Sequence, residues 1–356
     1  MVPGLLAATR ADGATWVIKG RGFGHGVGMS QYGAYGFALK GRGYKGILRH
    51  YYRGTRIGKT RRTQMIRVLL EIDPGDVYFR HARRACGRTL NPSRLYRARH
   101  AGRRILLLNA RGRKLKGCGQ MLRTDSRGDI RVGTHGAFRG ALEVVRTESD
   151  PGSLNAINAL NVNNYVQGVV PGEMPSSWPM QALRTQAVAA RTYALTTKVG
   201  GNGFDLYADT RSQVYGGLDI ETARTNRAVR STRNQVVRYR GQMAQTFYFS
   251  TSGGRTESGF LGGPDVPYLR SVRDPYDFHS PLHTWTLRYS GAEMNLRLAA
   301  YVRGRLRRIR IVKRGDSPRI DRAVLVGSRG RSSIRGDTLQ FALDAYDRWM
   351  SFRLRR

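Results

Sequence analysis

Glu173 stands alone. Between residues 151 and 204 it is the only acidic side chain, in the run Gly168-Val-Val-Pro-Gly-Glu173-Met-Pro175. The valines before it and the Met-Pro pair after it place the carboxyl in apolar company on a structured loop just ahead of a helix. Loss of hydration there raises a carboxyl pKa, which suits a general acid working near neutrality. The same position also admits a carboxylate favoured by the N-terminus of the following helix, which lowers the pKa instead. Gln186 and Arg191 fall inside that helix. At about 100° per residue they sit roughly 140° apart, so both reach one site only where the helix lines a wide groove; the other reading is a helix with an ordinary core face and surface face.

A second group of polar residues follows glycines. In Gly22-Phe-Gly24-His25-Gly26-Val-Gly28-Met-Ser30-Gln31 the alternate glycines fit neither dinucleotide nor phosphate-loop spacing. They suit an extended segment closely approached by another backbone or a ligand, which makes His25 the best functional candidate among the seven histidines. In Tyr248-Phe-Ser250-Thr-Ser252-Gly-Gly254, hydroxyls end a strand without the pattern of a nucleophile elbow. His279 and His283 flank Pro281, which disfavours a helical metal pair, and no metal site or cofactor is expected.

The elements that must hold these residues read as a mixed α+β fold. Ala182, Leu183, Ala187, Ala190, Tyr193 and Ala194 form one stripe of a helix over 179–198, with Pro179 at its start, Ser176 or Ser177 near the cap and Gly200-Gly201 as its stop. Helices are also expected over 30–40 and 44–52. Strand-like runs occupy 66–72, 104–108, 141–145, 235–239, 245–250 and 309–312, with Arg240-Gly241 as a turn and a final amphipathic segment over 339–349. Three zones follow: 1–65, a basic β-rich stretch over 66–150, and a longer segment, 151–356.

The 356 residues carry 62 Lys and Arg against 24 acids, a net charge of +38, and only eight of the cations are Lys. Such a charge calls for an anionic neighbour: nucleic acid, a lipid surface or a wall polymer. No apolar run approaches the ~20 residues that span a bilayer. Cys86 and Cys118 lack zinc-site spacing. If they pair, the disulfide contributes roughly 3–4 kcal/mol and needs an oxidising compartment. Residues 1–8 carry no signal-peptide pattern, so the chain is either cytosolic or a mature form.

Taken together, the segments beginning at Gly22, Ile47-Leu-Arg-His-Tyr-Tyr-Arg-Gly-Thr55, Tyr165-Val-Gln-Gly-Val-Val-Pro-Gly-Glu-Met-Pro175, Gln186-Ala-Val-Ala-Ala-Arg-Thr-Tyr-Ala194, Gln213-Val-Tyr-Gly216, the run from Tyr248 and Arg335-Gly-Asp-Thr-Leu-Gln-Phe-Ala342 resemble the stage II sporulation protein D and amidase-enhancer family. The resemblance implies a lytic transglycosylase acting on peptidoglycan glycan strands already stripped of peptides, with Glu173 as acid and base. It also implies a glycan groove lined by Gln186, Arg191, Tyr248, Ser250, Ser252, His25 and Gln31. Two departures stand out. The glycine-histidine block comes first, as though the family were permuted around a module inserted at 66–150, and 207–213 lacks the Cys and His that hold zinc in some relatives.

The substrate lies outside the cytoplasmic membrane, so the resemblance implies a secreted, envelope-located protein with its signal removed. The positive charge then reads as attraction to anionic wall polymers, with nucleic acid disfavoured. The alternative is a non-catalytic amidase enhancer that recruits another wall hydrolase or amidase.

Overall fold

A computed structural model describes residues 14–61, 64–73, 75–125, 128–148, 150, 152–200 and 203–355. The chain divides into two compact units, one built from residues 1–40, 50–53 and 247–356 and the other from residues 41–49 and 54–246. Helices α1 (Gln31–Leu39), α2 (Tyr44–Tyr51), α3 (Val162–Glu173), α4 (Met180–Thr196), α5 (Ala223–Ser231), α6 (Gly291–Arg297) and α7 (Gly336–Ala342) accompany mostly antiparallel strands. The fold is mixed α+β.

In the first unit the strand Thr15–Arg21 is central, paired antiparallel with Thr284–Ser290 on one side and Met350–Arg355 on the other. Alternation decides its faces: Trp16, Ile18, Trp285 and Met350 enter a core shared with Ile320, Leu325 and Leu339, whereas Lys19 stays exposed. Thr15 is paired with Arg355, so early and late segments of the chain share one sheet. The glycine-histidine segment leads into a short parallel pairing of Met29–Ser30 with Tyr248–Phe249. Gly28, at φ +80°, passes so close to the Phe247 carbonyl that a Cβ there would overlap it. Ser30 then caps α1, its Oγ accepting from Gly33 N at 3.0 Å.

In the second unit, Met65–Asp73, Met121–Asp125, Ala141–Arg146 and Leu154–Asn161 belong to one seven-stranded sheet. Residues 66–150 therefore do not fold as a separate insert: the buried strand Leu154–Asn161, from the segment expected to be the main core, pairs with strands of that stretch on both its edges. A six-stranded antiparallel sheet from Val77 to Arg139 completes this part. Cys86 and Cys118 are disulfide-bonded, with Cα atoms 5.3 Å apart.

Several elements depart from the sequence expectation. The stretch before Glu173 is a helix, α3, capped by Asn161 and containing Pro171 in its last turn. Neither Ser176 nor Ser177 caps α4; Pro179 precedes its first residue, and the helix ends at Thr196. Of the expected stop, Gly201 lies outside the described residues, as do residues 1–8. Of the strand expected over 245–250 only Tyr248–Phe249 is paired, and over 339–349 the helix stops at Ala342.

Candidate functional site

Glu173 is the last residue of α3 and half-buried. It lies at the carbonyl end of its own helix, where the macrodipole is negative, not at the positive end of α4 that one sequence reading required. Its Oε1 accepts a hydrogen bond from Val214 N at 3.0 Å, which fixes the carboxyl against the 213–216 loop. That loop is held from both sides. Tyr165 of α3 donates from its hydroxyl to Gln213 Oε1 at 3.1 Å, and Tyr215 donates to Asn158 Oδ1 at 2.7 Å, with the two tyrosine rings 4.9 Å apart. Burial raises the phenol pKa of both Tyr165 and Tyr193, and the charge of Glu173 adds to the rise in each. Gly168 is required here because a Cβ would meet the Tyr215 ring.

Four of the other carboxylates between residues 150 and 239 are paired with cations. Asp205 pairs with Lys198, Asp209 with Arg211, Asp219 with Arg131 and Glu221 with Arg139.

Arg191 and Gln186, expected to line a glycan groove, both have zero exposure. Arg191 donates to Asn163 Oδ1 (3.0 Å), Ala187 O (3.2 Å), Gln235 O (3.2 Å) and Val229 O (3.4 Å). It thereby ties α4 to α3, to α5 and to the strand Gln235–Tyr239. Burial without a carboxylate lowers its pKa to about 9, so it remains cationic at neutrality. Gln186 has no hydrogen-bond partner at either amide atom. A buried amide in that state is destabilising.

The remaining expected residues, His25, Gln31, Tyr248, Ser250 and Ser252, are gathered in the other unit around the parallel strand pair. Val27 N donates to His25 Nδ1 (3.1 Å), so Nε2 carries the proton and donates to Tyr248 O (3.0 Å). Packing among Phe247, Phe249 and Phe260 strips hydration from the ring and lowers its pKa to about 4, with the charges of Arg319 and Arg348 adding to the effect. His25 is neutral at pH 7. Gln31 opens α1, and Tyr32 N donates to Ser250 O at 3.0 Å.

Ser252 is fully buried, so it too is not a surface contact; its Oγ donates to Asp277 Oδ2 at 2.9 Å. Asp277 and its buried neighbour Asp274 were not singled out from sequence. Asp274 accepts from the Tyr51 hydroxyl at 2.8 Å, and burial, reinforced by the charge of Asp277, raises its pKa to about 7. His283 Nδ1 lies 2.9 Å from Asp277 Oδ1, and Arg21 donates to His283 Nε2 at 2.6 Å. No residue pattern marked this chain in advance. Among the described residues no cluster of His, Cys, Asp and Glu could hold a metal ion.

The carboxylate, its tyrosines and the 213–216 loop all fall within residues 150–239, which match the family model described as SpoIID, stage II sporulation protein. The chain thus carries a domain of the stage II sporulation protein D and amidase-enhancer family. An uncharacterized protein of Brachyspira hyodysenteriae is 39% identical over 149 residues, covering 41% of this chain and 40% of that protein. The amidase enhancer of Bacillus subtilis is 39% identical over 131 residues, 36% of this chain and 17% of the relative. Stage II sporulation protein D of the same organism is 32% identical over 167 residues, 42% and 49% respectively. The chain spans less than half the length of each of these three relatives. Among the described residues no helix is long and apolar enough to cross a membrane.

Proposed function

We propose that this protein cleaves peptidoglycan glycan strands, already stripped of peptide stems, by lytic transglycosylation with Glu173 as the single acid and base. One observation carries the reading. A half-buried carboxyl is fixed by Val214 N at 3.0 Å, while Asp205, Asp209, Asp219 and Glu221 are each committed to a cation. Hydrolysis with two carboxylates needs a second carboxyl at a set separation, whereas intramolecular transfer needs one.

Protonated Glu173 gives its proton to the oxygen leaving the anomeric carbon of muramic acid. The resulting carboxylate then takes the proton of that sugar's 6-hydroxyl as its oxygen bonds to the anomeric carbon, leaving a 1,6-anhydro end and consuming no water. Val214 N holds the carboxyl in place through both halves of the cycle. Within the unit that holds Glu173, Gln186 and Arg191 act as positioning residues; Tyr248, Ser250, Ser252, His25 and Gln31 belong to the other unit, and their part in glycan binding rests on the family resemblance alone. This activity, the envelope location and the attraction to anionic wall polymers form one reading.

A second reading is favoured by the 39% identity to an amidase enhancer and by the +38 charge: a wall-bound protein that stimulates another hydrolase without cutting glycan itself. Incubating wild type and Glu173→Gln with peptide-free glycan strands, with products read by mass spectrometry, separates the two. Anhydro-ended products from wild type, lost in a variant with unchanged thermal midpoint, are expected. Products carrying added water would replace transglycosylation by hydrolysis. Wall binding by folded wild type with no cleavage would select the enhancer.

A further inference from the structure

The sheet built on Thr15–Arg21 has one face in the core and one facing out, and the outer face carries cations with no counterion. Register places Lys19 between Thr286 and Ser351, and Val17 between Arg288 and Arg353. None of the three strands contains an acidic residue. Among the described residues Lys19, Arg21, Arg288 and Arg353 form no ion pair with a carboxylate.

A groove of about 810 Å³ opens on this face, lined by Lys19, Arg21 and Arg314 together with the hydroxyls of Thr284, Thr286 and Ser351. Arg21 is held ready. Its guanidinium lies 5.3 Å from the Trp349 ring and donates to His283, itself 2.9 Å from buried Asp277.

We infer that this groove binds a linear phosphodiester polymer of short polyol repeat, of the poly(glycerol phosphate) type. Alternate residues along a strand lie about 6.6–6.8 Å apart, so the cations present charge at a spacing that suits one phosphate per short repeat, and the threonine and serine hydroxyls suit a polyol. Single-stranded nucleic acid fits less well, because its binding leans on open aromatic faces for base stacking. Trp285 is 8% exposed, and the Trp349 ring is approached by Arg21 and by Arg319 at 5.3 and 5.8 Å. The site belongs to the unit that does not hold Glu173 and involves no glycosidic bond; it rests on the proposed attraction to anionic wall polymers and is tested independently of the cleavage chemistry.

The test uses the full chain and the triple variant Lys19→Gln/Arg21→Gln/Arg314→Gln, all three lining the groove, with Arg308→Gln/Arg310→Gln/Arg331→Gln as a charge-matched control on another sheet of the same unit. Fluorescent poly(glycerol phosphate) and a charge-matched oligothymidylate are titrated by anisotropy over a range of salt. The face variant should lose affinity for the polymer at least about tenfold and lower the magnitude of the salt slope by about 2, while the control keeps most of its affinity and both variants keep the wild-type circular dichroism. Equal losses in the two variants would mean diffuse attraction and overturn the site. Tighter binding of oligothymidylate at matched salt, lost in the face variant, would overturn the occupant, and no polymer binding by wild type would overturn both.

Discussion

At the scale of single residues, Gln186 poses the sharpest question. Both its amide atoms are buried without partners, a state that costs about 1–3 kcal/mol relative to an apolar side chain of similar shape. Gln186→Leu is therefore expected to raise unfolding stability by about 1 kcal/mol, read from urea melts, and to lower glycan cleavage at least tenfold under the proposed function. Gained stability with unchanged cleavage would make the glutamine dispensable to the site; lost stability would show the amide is satisfied in solution. In the sequence, isolation and motif both single out Glu173. The burial of Arg191 was not. Helical spacing fixes which face a residue occupies, but not that Asn163, Val229 and Gln235 converge on that face from three other elements.

Among elements, α1, α2 and α4 were legible from periodicity to within two residues of their observed ends. The helix α3 was not expected; the stretch before Glu173 reads as a structured loop, and it contains Gly168 and Pro171, both poor residues for a helix interior. In the structure Gly168 admits the Tyr215 ring, and Pro171 falls in the last turn of the helix. The coupling of the glycine-histidine segment to the Asp274–Asp277 turn was also invisible, since it depends on which loops are buried together. It has a pH signature.

Asp274 has a folded pKa of about 7 against an ordinary value of 3.8. Between those values the folded state keeps a proton that the unfolded chain has lost, so stability falls as pH rises. His25 runs the other way, with a folded pKa of about 4 against 6.5. It stays neutral while the unfolded chain charges, so stability falls as pH drops across that window. The two slopes oppose each other in wild type. Asp274→Asn removes one of them and still accepts the Tyr51 hydrogen bond. The variant is expected to be more stable than wild type at pH 7 and to lose on the order of 2–3 kcal/mol between about pH 6.5 and 4. Urea midpoints measured across that range check it, and parallel profiles for the two proteins would refute the coupling.

At the scale of the whole molecule the charge was legible, because it is a matter of count: 62 cations against 24 acids leave most of the arginines without a carboxylate to pair with. The chain order was harder to read. A glycine-histidine block placed first looked like a rearrangement; the pairing of Thr15 with Arg355 shows how early and late segments complete one sheet. The disulfide is the remaining long-range link. Cys86 sits in the turn between Arg84–Ala85 and Arg88–Thr89 at the edge of the seven-stranded sheet, and Cys118 follows Lys114–Gly117 at the edge of the six-stranded one. The bond therefore staples two sheets whose registers are set independently. Closing that loop limits the unfolded chain and contributes roughly 3–4 kcal/mol. Cys86→Ser/Cys118→Ser, or wild type in reductant, is expected to shift the urea midpoint down by that free energy divided by the denaturant slope. An unshifted midpoint would show that the sheets hold together without the staple. Thiol trapping on protein taken directly from cells then reports the compartment: an oxidised pair supports export, and a fully reduced pair would count against the envelope location.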